Sequence, residues 1–178
     1  MIGTDILLGE FKLYYDEIRP QIKSGDLLAW SHRTPWYKSW HDFKISIVRM
    51  FTKSEYSHVA TAWAVGNRVL AIEAVIPVVR IFPLSRLGDF YLIPLKAPWS
   101  DKALNMALSK IGEPYSQLQA IQAFFELPKE DGFWECAELV RSIALCDGID
   151  LGDKATPSEI VRSAMKYGNS VILVESLN

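Results

Sequence analysis

Tyr56-Ser57-His58-Val59-Ala60-Thr61-Ala62-Trp63-Ala64-Val65-Gly66-Asn67-Arg68-Val69-Leu70-Ala71-Ile72-Glu73-Ala74-Val75 reads as a β-hairpin. Two strand-like runs flank Gly66-Asn67, and a two-residue loop with Gly first has the backbone twist that suits antiparallel strands. If Val65 faces Arg68, Ala60 lies opposite Glu73, and His58 is the diagonal neighbour of Glu73 on the same face. That places the two roughly 7–8 Å apart at the backbone, a span their side chains can bridge. A one-residue slip would send them to opposite faces. Glu73 sits among apolar neighbours, where a carboxylate is rarely left unpaired, and His58 is its natural partner. A carboxylate on one ring nitrogen fixes the tautomer and leaves the other nitrogen free to take a proton from a thiol. The plainer reading is a solvent-facing Glu on an edge strand and a core His satisfied by backbone.

The thiol is supplied by Phe133-Trp134-Glu135-Cys136-Ala137-Glu138-Leu139-Val140, which follows the turn signal Asp131-Gly132 and opens a helical apolar pattern. Helix N-termini present unpaired N–H groups and partial positive charge, which favour thiolate and can receive a developing oxyanion. The alternative for Cys136 is a small buried hydrophobe.

Taken in order, Gly25-Asp26-Leu27-Leu28, Tyr56-Ser57-His58-Val59, Ile72-Glu73-Ala74, Gly112-Glu113-Pro114-Tyr115 and Glu135-Cys136-Ala137-Glu138-Leu139-Val140 resemble the circularly permuted branch of the NlpC-type papain-like cysteine peptidases, in particular its YiiX-like members. The likeness spans about residues 22 to 167. It implies a Cys-His-Glu triad with Cys136 as nucleophile, His58 as general base and acid, and Glu73 as the orienting member. Tyr115 matches a tyrosine often found near that site. Ala137 departs from the serine more usual after the cysteine, a side chain with no assigned chemical role. The implied fold is α+β, a papain-like antiparallel sheet or barrel of about five to six strands packed against helices, in one domain over 1–178.

The chain has 178 residues, enough for one domain with a real core, and its 49% hydrophobic and 22% charged content is ordinary for a globular protein. A net charge of -2 without a Lys/Arg run gives no reason to invoke nucleic acid. The first ten residues lack a basic leader, and Asp5 and Glu10 interrupt their apolar stretch, so no signal peptide is evident and a cytoplasmic location is expected. No run approaches the roughly 18 apolar residues of a membrane span, although peripheral membrane contact stays open. Cys136 and Cys146 fall on one expected helix, about 15 Å apart in rise, too far for a disulfide. With His32, His41 and His58 they show no zinc spacing, so neither a metal nor another cofactor is expected.

Residues about 4–18 read as an amphipathic helix, part of an N-terminal helical extension over 1–20, with Ile6, Leu7, Phe11, Tyr14 and Ile18 at three- and four-residue spacing. Strands are expected at about 26–31, 57–65, 68–75, 78–82, 90–95 and 171–174. Helices are expected from a loop at 34–40 to about Phe51, from a Ser100 cap to Ile111, over 116–125, from Cys136, and from a Thr156 cap with Pro157 in the first turn. Trp30, Trp36, Tyr37, Trp40 and Phe43 form an aromatic cluster with two readings: packing between helix and sheet, or a substrate groove or interfacial patch in which Trp36 and Trp40 bind an acyl or lipid group. His32 and His41 read as surface residues.

The function expected is a cysteine hydrolase or acyltransferase that passes through a thioester acyl-enzyme. Its substrate is a peptide amide of the cell-wall type or an acyl or lipid ester, with Tyr115 assisting at the oxyanion. The competing classes are a non-catalytic papain-like binding module and an interfacial lipid-binding protein. Oligomeric state is not legible from the sequence.

Overall fold

The computed structural model describes residues 11–31, 55–95, 98–115, 135–153, 156–168 and 170–176. The helices expected from 34–40 to Phe51 and over 116–125, together with Trp36, Tyr37, Trp40, Phe43, His32 and His41, lie outside the described residues.

Among the described residues, seven strands form one open sheet: β1 (Phe11–Tyr14), β2 (Leu27–Trp30), β3 (His58–Val65), β4 (Arg68–Val75), β5 (Val78–Pro83), β6 (Phe90–Ile93) and β7 (Ile172–Glu175), in the spatial order β1-β7-β6-β2-β3-β4-β5. Four α-helices accompany it among the described residues: α1 (Tyr15–Ile18), α2 (Asp101–Ser109), α3 (Cys136–Leu145) and α4 (Pro157–Ala164). The α+β class stands, with two corrections. The sheet is mixed rather than antiparallel, because β1 runs parallel to β7, and among the described residues β1 and β5 stand at opposite ends of it without closing it into a barrel. Of the helix expected over 4–18, residues 4–10 lie outside the described residues, residues 11–14 are strand, and Tyr15–Ile18 are helix. Short apolar runs fit both periods, and here a partner from the far end of the chain decides: Lys12 reaches Glu175 at 2.6 Å and Leu13 packs into the core.

The β3–β4 hairpin has the register expected from its turn, Val65 opposite Arg68 and Thr61 opposite Ile72. Alternation then sorts the side chains into two layers. Leu28, Ala60, Ala62, Ala71, Phe90 and Leu92 face Tyr15, Ile18 and Ile22. Leu27, Ala29, Val59, Ile72, Ala74 and Val79 face the helices, packed on Leu139, Val140 and Ile143 of α3, Ile160 of α4 and Ala103 of α2. Leu139 and Ile143 are fully buried, each contributing about 1.5–3 kcal/mol.

Caps fix where α2 and α4 begin. Ser100 Oγ accepts the Ala103 N–H at 3.2 Å and Thr156 Oγ1 accepts the Glu159 N–H at 3.4 Å. Gly25-Asp26, at the start of β2, is explained locally. Gly25 has φ +99°, and a Cβ there would lie 2.7 Å from the Trp99 ring, so both backbone and space demand glycine. The buried Asp26 carboxylate accepts the Lys23 N–H at 2.8 Å and the Leu95 N–H at 2.9 Å, tying the approach to β2 to the end of β6.

Candidate active site

The β3–β4 ladder ends at Thr61 and Ile72, whereas β3 continues to His58 along β2 and β4 continues to Val75 along β5. The two strands part at this end of the sheet. Across the gap, His58 Nε2 lies 2.9 Å from Glu73 Oε2. Ala60 and Ala71, of the same parity as His58 and Glu73, belong to the layer away from the helices, while α3 covers the opposite layer. Cys136, the first residue of α3, comes to His58 where the strands part, near enough for the thiol to favour the charged imidazole. Since Nε2 is engaged by Glu73, Nδ1 is the nitrogen left to the sulfur.

Glu135 precedes Cys136 as an extended N-cap residue, φ −104° and ψ 156°, and its carbonyl accepts the Leu139 N–H at 2.9 Å. Its buried side chain makes no cap hydrogen bond to the helix. Cys136 is unbridged and, as a residue, partly exposed.

Electrostatics at the site follow from burial and pairing. Burial works against a charged His58, but hydrogen bonds and charge from Cys136 and Glu73 outweigh it and raise its pKa from 6.5 to about 9. Burial likewise pushes Glu73 upward, yet the hydrogen bonds and positive charge of His58 and Arg80 hold the carboxyl below its ordinary value. Arg80 is the residue that sequence reasoning missed. It stands directly opposite Glu73 on β5, with Nε 2.9 Å and Nη2 2.7 Å from Glu73 Oε1. Extending the register count from the first hairpin to the second, through Val75 opposite Val78, would have placed it there.

Tyr115 sits in a segment laid along the free side of β5. The Gly112 N–H donates to Val79 O at 2.9 Å, the Val79 N–H to Glu113 O at 2.8 Å, and the Tyr115 N–H to Pro77 O at 2.9 Å. Burial, then the charges of Cys136 and Glu135, push its phenol well above the ordinary tyrosine range, so it remains a neutral donor beside the sulfur. Of the aromatic cluster, Trp30 is described. Paired with His58 across β2 and β3, its ring lies 5.4 Å from the imidazole at 37°, while Nε1 donates to Leu87 O at 3.4 Å. Trp36 and Trp40 lie outside the described residues.

No protein family's sequence model matches the chain, and no curated protein does. Among solved structures, the crystal structure of metalloprotein yiiX from Escherichia coli O157:H7 is similar, with a TM-score of 0.54, 20% identity, and coverage of 88% of this chain and 90% of that one. At that identity the likeness is one of fold, and the YiiX-like arrangement expected from the motif order is present at that level. The described residues do not fit a metal: no three His, Cys, Asp or Glu side chains among them are grouped to hold one, and both Glu73 oxygens are engaged by His58 and Arg80. Among the described residues, no helix is long and apolar enough to cross a membrane.

Proposed function

We propose that this chain is a cysteine hydrolase or acyltransferase of the papain-like class, with Cys136 as nucleophile, His58 as proton carrier and Glu73 as the residue that orients it. The observation that carries the reading is the His58–Glu73 pair at 2.9 Å where two strands part, with Cys136 at the N-terminus of α3 close enough to bear on the imidazole's charge. A thiol, an imidazole and a buried carboxylate in that order are the parts needed for acyl transfer through a thioester.

The Cys136 sulfur, its proton on His58, attacks an amide or ester carbonyl and forms a carbon–sulfur bond. The oxyanion that develops is met by the Cys136 N–H, one of the helix's first amides without an intrahelical acceptor, and by the neutral Tyr115 hydroxyl. His58 delivers its proton to the leaving group as that bond breaks. Water or an acceptor nucleophile then attacks the thioester, gives its proton to His58, and the proton returns to sulfur. The substrate is a peptide amide of the cell-wall type or an acyl or lipid ester.

Incubation with p-nitrophenyl esters of increasing acyl length, followed by acid quench and intact-mass measurement, tests this. An acyl adduct on Cys136, absent from Cys136→Ala, supports the reading, and its dependence on chain length separates acyl from peptide substrates. Ester turnover unchanged in Cys136→Ala would overturn it.

A further inference from the structure

The Glu73 side chain is only 3% exposed, and both of its oxygens are taken. Oε2 faces His58 Nε2 at 2.9 Å, and Oε1 receives Arg80 Nε at 2.9 Å and Nη2 at 2.7 Å. Arg80 is itself held in place. Its backbone is in register with Glu73, and its guanidinium lies 4.6 Å over the ring of Phe82, two residues along the same face of β5. We infer that Arg80 is a fourth, positioning member of the site, acting on Cys136 through Glu73 and His58, and that the working unit is Arg80-Glu73-His58-Cys136. This rests on the cysteine-hydrolase reading.

A carboxylate removed from water keeps its charge only with compensation, and His58 alone satisfies just one oxygen. Arg80 supplies the other half. Its guanidinium sets a positive charge against Glu73 Oε1 whichever protonation state His58 passes through. It also clamps Oε1, which leaves Oε2 to Nε2 and keeps Nδ1 clear of Glu73. Among the described residues, Tyr115 from the segment along β5 is a further titratable group near this unit, and it feels the charges of both Cys136 and Glu135 at the cap of α3.

The test is the rate of Cys136 alkylation by iodoacetamide between pH 4 and 8, for wild type, Arg80→Met, Arg80→Lys and His58→Ala. Without the guanidinium, Glu73 takes up a proton at higher pH, the imidazolium loses its counter-charge, and the proton returns to sulfur. Arg80→Met should therefore move the acid limb of the profile upward by about one pH unit, within the range that a neighbouring opposite charge exerts. Near pH 5 this is roughly a tenfold loss relative to the plateau. Arg80→Lys, which keeps a charge but not the two-nitrogen grip, should show a smaller shift in the same direction. Should Arg80→Met not fold, the lysine variant carries the test by itself. An acid limb unchanged in the folded variants overturns the role of Arg80 while leaving the triad standing. Alkylation unaffected in His58→Ala overturns both.

Discussion

At the scale of single residues, each group at the site is defined by what it touches. Glu73 must offer an acceptor to His58 on one oxygen and to Arg80 on the other. Glu73→Gln retains only one acceptor, so either the imidazole or the guanidinium faces an NH2 group. We expect a folded protein whose Cys136 alkylation is slowed, but less than in His58→Ala, where removal of the proton carrier should cost about 10²-fold. Equal effects of the two changes would contradict an orienting role for Glu73. The pairing of His58 with Glu73 was legible because Gly66-Asn67 fixes the turn and parity does the rest. Arg80 was not, since the register count stopped at the first hairpin. The contact of Cys136 with His58 is also beyond parity arguments: the helix and the histidine belong to opposite layers and meet only where β3 and β4 part.

At the scale of elements, local chemistry made β3, β4, β5, α2, α3 and α4 readable, because each carries its own signal: a Gly-Asn turn, a Ser100 or Thr156 cap, a first-turn proline, an apolar stripe. Residues 11–14 carry no such signal. Their pairing with residues 172–175 depends on a strand some 160 positions away, and local periodicity favoured helix. Gly25 shows how tightly one element start is specified. Gly25→Ala places a Cβ 2.7 Å from Trp99 at a φ of +99°, and should cost about 1–3 kcal/mol. Chemical denaturation should show the loss, and a variant as stable as wild type would mean that Trp99 moves aside at no cost. Thr156→Ala, which removes the cap of α4, should cost about 1 kcal/mol in the same measurement.

At the scale of the whole molecule, the site leaves a signature in stability against pH. The raised pKa of His58 means that its charge stabilises the fold fully below about 6.5 and that this contribution is lost as pH rises through about 9. Glu73, held below its ordinary value, contributes above about 4.5, and that contribution is lost as pH falls through its folded-state pKa. The pair's share of stability is therefore greatest between about pH 4.5 and 6.5. The difference in melting temperature between wild type and His58→Gln should peak in that window and shrink on the alkaline side. A difference independent of pH would mean that the pair is not charged in the folded state.

On the proposed chemistry Cys136, and not Cys146, is the reactive thiol. Both cysteines are unbridged and partly exposed, on one helix, so each serves as the other's control for access. Cys146 sits at the far end of α3, with its sulfur hydrogen bonded to Ser142 O at 3.4 Å, whereas Cys136 faces His58. A brief iodoacetamide pulse at neutral pH, read by peptide mass spectrometry, measures the two rates in one sample. Cys136 should be labelled about 10²-fold faster than Cys146, with the advantage lost in His58→Ala. Equal labelling of the two cysteines in the folded protein would contradict it.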